Sequence, residues 1–240
     1  MESARLACVE WHSLHPRALG ADSVVLDLGA NRGRFSQKMV DRFGSRCFAV
    51  EASAQMYDTL RDTDRIRNFH CAITGRNGQV AIYQGDNELA ASTSSGDGSR
   101  HPSEFVDSIR LDDFVESQGI GRVDLLKMDI EGAEVEVFDS LSDEFLRGIA
   151  QISVEFHDFC GLVSEAEVAR IVSRLEGLGF TGFKMSRIGH QDTLFVNRAL
   201  LPMSGLEVFY IRHVARHVLG AMRVALRAMQ VDPNRYPYYN

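Results

Sequence analysis

The chain of 240 residues lacks any run of about 18 uncharged apolar residues, so no segment is predicted to span a membrane. It has only four cysteines, and none of them forms a Cys-x-x-Cys pair. This scarcity excludes a disulfide-stapled scaffold and predicts reduced, structural thiols in a cytoplasmic protein. The first residues also lack a basic start followed by an apolar core, so we expect no signal peptide.

An excess of basic residues is also missing. The formal net charge is −7, which argues against nucleic acid as the main partner, because phosphate contacts need clustered Lys and Arg. With 45% hydrophobic and 25% charged residues, the composition is that of a folded globular protein and excludes disorder. The length fits one domain, which we place at residues 1–200, followed by a tail at residues 201–240.

Strands and helices are predicted to alternate along most of the chain. A first helix is predicted over residues 3–15, ending before Pro16. Further strands are predicted at 23–28, 47–50, 66–73, 79–84, 123–130, 149–156, 180–187 and 193–197, and further helices at 34–43, 54–61, within 109–118, at 133–145 and at 165–178. The expected fold is α/β and Rossmann-like: a mostly parallel seven-stranded sheet that ends in an antiparallel hairpin, with helices on both faces.

Residues 85–105 interrupt this alternation. They are rich in Ser and Gly, poor in large apolar residues, and long for a connection in a compact domain. Two interpretations stay open: a surface loop, or a lid that orders over a bound ligand.

A glycine-rich turn follows the first buried strand. Gly29, Asn31 and Gly33 lie between this strand and the next helix, where backbone amides can approach a nucleotide closely. Asp27 precedes the turn, where an anion would repel a pyrophosphate but suits the cationic group of S-adenosylmethionine (AdoMet). Glu51 ends the second strand and can accept hydrogen bonds from ribose hydroxyls. The alternative is that the two glycines only permit tight packing and that Glu51 is solvated.

Four segments resemble the FkbM-type methyltransferases, a family of class I AdoMet-dependent enzymes with a Rossmann-like fold. They are V-L-D-L-G-A-N-R-G-R-F-S at 25–36, V-E-A-S at 50–53, D-L-L-K-M-D-I-E-G-A-E at 124–134 and S-V-E-F-H at 153–157. The resemblance covers roughly residues 20–200, and the K-M-D-I-E-G-A-E block is its most specific part. Ala52 stands where the family often has Pro.

The resemblance implies a cofactor site. Asp27, Gly29, Asn31 and Gly33 would form the AdoMet loop, and Glu51 would hold the ribose. The backbone around Cys71 and Ala72, at the end of the third strand, would border the adenine.

Ionisable residues end two later strands, and these are the candidate catalytic residues. Lys127 and Asp129 follow one strand, and Glu155 and His157 follow the next. Because such groups are costly to desolvate unpaired, their position indicates function. His157 is the first candidate for the base that removes a hydroxyl proton, and Asp129 is the second. Glu155 would orient His157 or bind substrate, and Lys127 would keep Asp129 ionised or contact substrate.

A divalent metal is possible here but not favoured. Asp129, Glu155, His157 and Asp158 offer oxygen and imidazole ligands without a tight spacing. His12 and His15 lie i, i+3 on the predicted first helix, and a solvated helix face explains them.

The tail contains a predicted amphipathic helix at residues 206–229. Four arginines (212, 216, 223 and 227) form a narrow stripe beside a wide apolar face. We expect this helix to pack on protein, as in a homodimer. The alternative is peripheral contact with an anionic membrane.

The predicted function is AdoMet-dependent methylation of a hydroxyl on a sugar, glycolipid or related natural product. No N-P-P-Y or D-P-P-Y motif, which would indicate methylation of nitrogen, follows the fourth strand. Two other functions stay open: an NAD-dependent Rossmann oxidoreductase and a non-catalytic AdoMet-binding scaffold subunit.

Overall fold

The computed structural model describes residues 6–84, 91–92, 102–187 and 189–215. The N-terminal segment is a β-hairpin, so the helix predicted over residues 3–15 is wrong. Strands β1 (Ala7–Val9) and β2 (His12–Leu14) pair antiparallel, with Val9 opposite His12. Glu10 and Trp11 form the turn with φ of 43° and 73°. Two positive φ values are typical of a tight hairpin turn, usually marked by Asn or Gly. This turn has neither residue, so the hairpin could not be recognised from the sequence.

The first half of the main sheet follows the predicted alternation. Its elements are β3 (Val24–Leu28), α1 (Arg34–Phe43), β4 (Arg46–Glu51), α2 (Ala54–Tyr57) and β5 (Ile66–His70). All five residues of β3 are buried, as expected for a continuous apolar strand covered on both faces. Helix α2 is shorter than the predicted 54–61.

The third predicted strand, 66–73, is in fact two strands in different sheets. β5 ends at His70, and β6 (Ala72–Thr74) joins a second sheet with β7 (Gly78–Gln84), β8 (Ala91–Ser92) and β9 (Glu104–Arg110). The strand order of this second sheet is β6-β9-β7-β8. Of the loop predicted over 85–105, residues 85–90 and 93–101 lie outside the described residues.

The second half adds the remaining strands and helices. Its elements are α3 (Leu111–Ser117), β10 (Leu125–Met128), α4 (Glu134–Ser140), α5 (Asp143–Arg147), β11 (Gln151–Val154), α6 (Glu165–Gly177), β12 (Phe180–Lys184), β13 (Thr193–Asn197) and α7 (Gly205–Tyr210). The predicted helix 133–145 is split, because Leu141 adopts an extended conformation and Ser142 caps a new helix by accepting the amide of Phe145. Strands β10, β11 and β12 end two to three residues before their predicted ends.

The main sheet has seven strands in the order β12-β13-β11-β10-β3-β4-β5. β13 is antiparallel to both neighbours, and the pairs from β11 to β5 are parallel. This is the predicted Rossmann-like architecture of class I methyltransferases. Its largest core cluster runs across the sheet and includes Leu26, Leu126, Ile152 and Phe195. The carboxyl ends of β3, β4, β10 and β11 therefore meet at one edge, where ligands bind in such sheets.

Polar contacts attach the N-terminal hairpin to this core. Ser13 donates from its amide and its hydroxyl to the two carboxylate oxygens of Asp192, at 2.9 and 2.7 Å. His15 Nε2 lies 3.0 Å from the carboxylate of Glu207 in α7. Both contacts are buried, so the hairpin is a fixed part of the domain.

The tail begins as helix, in line with its prediction. α7 continues into one π-helical turn at Ile211–Ala215, and Ile211 packs with Leu6 and Met203. Residues 216–240, which include Arg216, Arg223 and Arg227, lie outside the described residues. The homodimer and the membrane contact remain predictions. In the described part of the chain, every helix is too short or too polar to cross a bilayer.

Candidate active site

The turn between β3 and α1 is held against β4 and β10. The amides of Gly29 and Ala30 both donate to the carbonyl of Val50, at 3.0 and 2.9 Å. A Cβ atom on Gly29 would lie 1.8 Å from the carbonyl oxygen of Asp129, and the φ of Gly29 is 77°. Glycine is therefore required here by the close approach of Asp129, the residue that follows β10. Asn31 also has a positive φ, 51°, which is uncommon outside glycine and clusters at functional sites.

Glu51, at the end of β4, is buried and ties this turn to the next loop. Its carboxylate accepts the amides of Asn31 at 2.6 Å and Ser53 at 2.8 Å. Burial raises the pKa of Glu51, although these two hydrogen bonds oppose the shift. A carboxylate has about four acceptor positions, so two remain for hydroxyl donors.

A cleft of about 290 Å³ lies over these strand ends. Its lining includes five predicted cofactor or catalytic residues, which are Gly29, Asn31, Glu51, Ala72 and Asp129. Apolar side chains, among them Val50, Met56, Ile73 and Ile82, form part of its wall. An apolar wall with a few convergent polar groups is the usual character of a ligand site. The cleft therefore has the character of a ligand site, and it lies at the strand ends where the sequence predicts the cofactor.

Two predicted site residues lie beneath the cleft and do not line it. Asp27 is fully buried, and its carboxylate accepts the Ser36 hydroxyl at 2.7 Å. Lys127 Nζ lies 3.1 Å from the other oxygen of Asp27 and donates to the carbonyls of Leu28 and Gly29. Burial lowers the pKa of Lys127, but the charges of Asp27 and Asp129 outweigh it, and the net shift is upward. Lys127 thus anchors the glycine turn from below.

Gly33 lies at the start of α1, with a φ of 69°. A Cβ on this residue would lie 3.0 Å from the side chain of Leu60. Gly33 does not line the cleft, and its conformation serves the entry into the helix.

Asp129, which also lines the cleft, is at the centre of a cluster of charged side chains. We refer to this part of the lining as the end with Asp129, and to the lining from β4 and the glycine turn as the end with Glu51. One carboxylate oxygen of Asp129 lies 3.9 Å from Lys127 Nζ and 3.8 Å from His12 Nε2, and the other lies 3.7 Å from His157 Nε2. Burial raises the pKa of Asp129, but the charge of Lys127 and the nearby imidazoles outweigh it, so the net shift is downward.

His157 is buried among carboxylates. Its Nδ1 lies 2.8 Å from Glu134 Oε1, and its Nε2 lies 3.3 Å from Glu131 Oε2. Burial lowers the pKa of His157, but the charge and hydrogen bond of Glu134, followed by the charge of Glu131, raise it well above its usual value. The imidazolium form, which has no lone pair to accept a proton, is therefore favoured. This environment argues against His157 as the base.

Glu131 and Glu155 complete the cluster. Glu131 lines the cleft, and its φ of 53° is a second strained value at this site. Burial raises the pKa of Glu131 to about 7 and that of Glu155 to about 8, although the charge of His157 opposes both shifts. Glu155 does not orient His157, which instead contacts Glu134.

His12 was not predicted to be a site residue. This residue is buried on β2, with Nδ1 3.3 Å from Ser153 Oγ and Nε2 facing Asp129. His15 is buried as well, so neither histidine lies on a solvated face. His12 could have been predicted as a site residue only if residues 7–14 had been assigned as a hairpin. Side chains alternate along a strand, and the alternation along β2 directs His12 toward the main sheet.

Asp158 does not join the cluster. Its carboxylate accepts the amide of His190 at 2.8 Å and lies 2.7 Å from His190 Nδ1. Burial raises the pKa of Asp158, but the hydrogen bonds of His190 outweigh it and the net shift is downward. The predicted metal set of Asp129, Glu155, His157 and Asp158 is thus not assembled.

Comparison with known proteins agrees with this architecture. Residues 27–181 match the Methyltransferase FkbM domain. The 2-O-methyltransferase NoeI of Sinorhizobium fredii is 30% identical over an alignment of 136 residues, and the match covers 48% of this chain and 56% of that protein. The 31-O-demethyl-FK506 methyltransferase FkbM of Streptomyces tacrolimicus is 34% identical over 87 residues, 36% of this chain and 30% of that protein. The matches thus span about half of one relative and less of the other.

Among solved structures, the fibrillarin of Aeropyrum pernix with natively bound S-adenosyl-L-methionine is similar, with a TM-score of 0.41 and 13% identity. The similarity covers 74% of this chain and 66% of that chain. The match to the FkbM domain covers well over half of the 240 residues and speaks against an oxidoreductase. The chain therefore belongs to the FkbM family of AdoMet-dependent methyltransferases.

Proposed function

We propose that the chain transfers the methyl group of AdoMet to a hydroxyl of a sugar, glycolipid or related natural product. The observation that carries this proposal is the cleft itself. It joins Glu51 and the glycine turn at one end to the carboxylates of Asp129 and Glu131 at the other. Carboxylates accept hydrogen bonds from hydroxyl groups, so this second end suits an acceptor with several hydroxyls. The two relatives described above are named as methyltransferases, one of them as a 2-O-methyltransferase.

The cofactor is assigned to the end with Glu51. Its two remaining acceptor positions receive the ribose hydroxyls, and Ala72 borders the adenine. Gly29 and Asn31 line the turn beside the cofactor, while Asp27 and Gly33 act indirectly by holding that turn and its helix in place. When bound, AdoMet supplies an electrophilic methyl group.

Glu131 is proposed as the base, in place of His157. A base must reach the acceptor hydroxyl, and the Glu131 side chain is 32% exposed and lines the cleft, whereas the His157 side chain is 4% exposed. His157 Nε2 lies 3.3 Å from Glu131 and would hold this carboxylate in position. Asp129, the second candidate in the sequence, also lines the cleft and would bind the acceptor.

The test has two parts. Isothermal titration with AdoMet, S-adenosylhomocysteine and NAD should give binding to the first two only. Cell extract incubated with the protein and methyl-labelled AdoMet should then give a small labelled product, in which mass spectrometry locates the label on a hydroxyl oxygen. Label found on protein or on a nucleic-acid nitrogen would reject the proposed acceptor, and binding without any transfer would favour the scaffold alternative.

A further inference from the structure

Three side chains from distant parts of the chain offer ligand atoms at one point. They are His12 on β2, Asp129 after β10 and Glu155 after β11, and their ligand atoms all lie within 4.8 Å of one another. Ligands on opposite sides of one divalent ion are separated by about 4.2 Å, twice a typical ligand distance of about 2.1 Å. The three groups are thus close to the spacing that a metal ion requires.

The orientation of His12 is that of a metal ligand. Its Nδ1 lies 3.3 Å from Ser153 Oγ, and its Nε2 faces the carboxylate of Asp129. A proton on Nδ1, donated to the serine oxygen, leaves the lone pair of Nε2 directed at the cluster. Histidine ligands in metalloproteins are usually held in this way, by an acceptor for the nitrogen that does not bind the metal.

The environment of the Glu155 carboxylate also favours a bound cation. The carboxylate is partly buried, and among the described residues it has no hydrogen-bond or ion-pair partner. Lys127, the lysine of this cluster, is already engaged by Asp27 and by the carbonyls of Leu28 and Gly29. A sheltered carboxylate without a partner is costly unless a cation joins it.

A second group of three, Asp129, Glu131 and His157, has comparable spacing. In that group His157 already contacts Glu134 through Nδ1 and Glu131 through Nε2. With both nitrogens donating to carboxylates, His157 supplies the positive charge itself. The charges of this second group are paired without an ion. In the group with His12, the carboxylate of Glu155 has no such partner among the described residues.

We propose that His12 Nε2, Asp129 and Glu155 bind one divalent transition-metal ion at the acceptor end of the cleft. One imidazole with two carboxylates suits a first-row ion such as Mn²⁺ better than Ca²⁺ or Mg²⁺, which are bound mainly by oxygen ligands. Two carboxylates balance the charge of the ion, and the remaining coordination positions are open to water or to an acceptor hydroxyl.

The role of this ion rests on the proposed function, whereas its binding does not. The ion polarises the acceptor hydroxyl, whose proton passes to Glu131. The hydroxyl oxygen then forms a bond with the methyl carbon of AdoMet as the bond from carbon to sulfur breaks. The electron pair of that bond stays on sulfur, which gives neutral S-adenosylhomocysteine.

The test is a titration of the chelator-treated full chain with Mn²⁺, in which electron paramagnetic resonance measures the free ion. The wild type should bind one equivalent. His12→Asn and Glu155→Gln should each weaken binding by at least about tenfold, and Ser153→Ala by about tenfold through loss of the His12 partner. Asp158→Asn is the matched control, because Asp158 contacts His190 and not this cluster. The Mn²⁺ affinity of this variant should equal that of the wild type. Thermal unfolding and AdoMet titration of each variant confirm that it is folded.

Two outcomes would overturn the site. One is that the wild type does not bind Mn²⁺, or that Glu155→Gln binds it as tightly as the wild type. Glu155→Gln is the decisive variant because it does not disturb the buried hairpin. The other outcome is binding that is lost in Glu131→Gln and His157→Asn but kept in Glu155→Gln. Methyl transfer that proceeds equally well in the metal-free protein would remove only the role of the ion. Mn²⁺ binding through these residues without any methyl transfer would support the site and reject the proposed function.

Discussion

The end of the cleft with Glu51 and the end with Asp129 differ in their polar groups and in their charge. At the end with Glu51, the polar groups are mostly backbone amides and one carboxylate, and they satisfy each other through short hydrogen bonds. At the end with Asp129, four carboxylates and two imidazoles crowd together, with Lys127 at the edge. The first end is a preformed cradle that needs nothing further to be stable. The second end carries an excess of negative charge, and this suits it to binding cations and removing protons.

If the first end is a rigid cradle, Gly29→Ala should have the largest effect of any single substitution. The new Cβ would lie 1.8 Å from the Asp129 carbonyl oxygen in a backbone region that alanine avoids. We expect a loss of about 3 kcal/mol or more in the free energy of unfolding, together with loss of AdoMet binding. Urea unfolding and calorimetry measure both.

Gly177→Ala, at the end of α6, is the control, because nothing lies within 4 Å of its new Cβ. It should change the free energy of unfolding by no more than about 1 kcal/mol. Equal stability of the two variants would show that the turn is not held as tightly as its geometry indicates.

If the second end performs the chemistry, Glu131→Gln should lower kcat by about 10²-fold or more. AdoMet affinity should stay within about threefold, because Glu131 belongs to the acceptor end. Glu116→Gln, an exposed glutamate on α3, is the matched control and should behave as the wild type.

His157→Asn sharpens the same assignment. It should reduce kcat less than Glu131→Gln, since it removes only the contact that positions the carboxylate. A larger loss in His157→Asn would return the role of base to His157, the first candidate in the sequence.

Glu51→Gln should act on the cofactor alone and raise the Kd of AdoMet about tenfold, roughly the loss of one charge-assisted hydrogen bond. Because burial raises the pKa of Glu51, its carboxylate becomes protonated at a higher pH than an ordinary glutamate. Wild-type affinity should therefore decline as the pH falls through this raised pKa, whereas the affinity of Glu51→Gln should stay level. Titration calorimetry over a pH series measures this. A parallel decline in both proteins would assign the pH dependence to another group.

The smallest effect that we expect is a difference in reactivity between the buried thiols and the exposed thiol of Cys160. Burial raises the pKa of Cys71 to about 11 and that of Cys47 to about 12, so at pH 8 only about one Cys71 in a thousand is a thiolate. Iodoacetamide should therefore modify the exposed Cys160 first, as peptide mapping can show. Cys71 lines the cleft, and AdoMet should slow its modification further. Rapid labelling of Cys71 would contradict the closed, apolar wall at the cofactor end.

The cofactor end could be predicted from the sequence, because its features are local. A buried strand, a glycine turn and an acid at the end of the next strand lie within the 28 residues from Val24 to Glu51, and periodicity places them at one sheet edge. What the sequence did not show is where the side chains point. Asp27 was expected at the cofactor, but it lies beneath the turn, because Lys127 and Ser36 satisfy its charge there.

The acceptor end was predicted only in part. Asp129, Glu155 and His157 were identified because they follow apolar strands, and all three lie in the cluster. Their protonation states could not be read from the sequence, because these depend on which carboxylates approach. Glu134 faces His157 only because α4 turns its first residue toward the strand end.

The sequence by itself determined the alternation of strands and helices, the glycine turn and the acids at the strand ends, since hydrophobic periodicity and turn chemistry act over a few residues. Only the tertiary structure decided that the N-terminal hairpin brings His12 to Asp129. That contact depends on a turn without glycine or asparagine and on a buried hydrogen bond from Ser13 to Asp192. Interactions between residues so far apart in the chain leave no periodic pattern, and so only the folded structure reveals them.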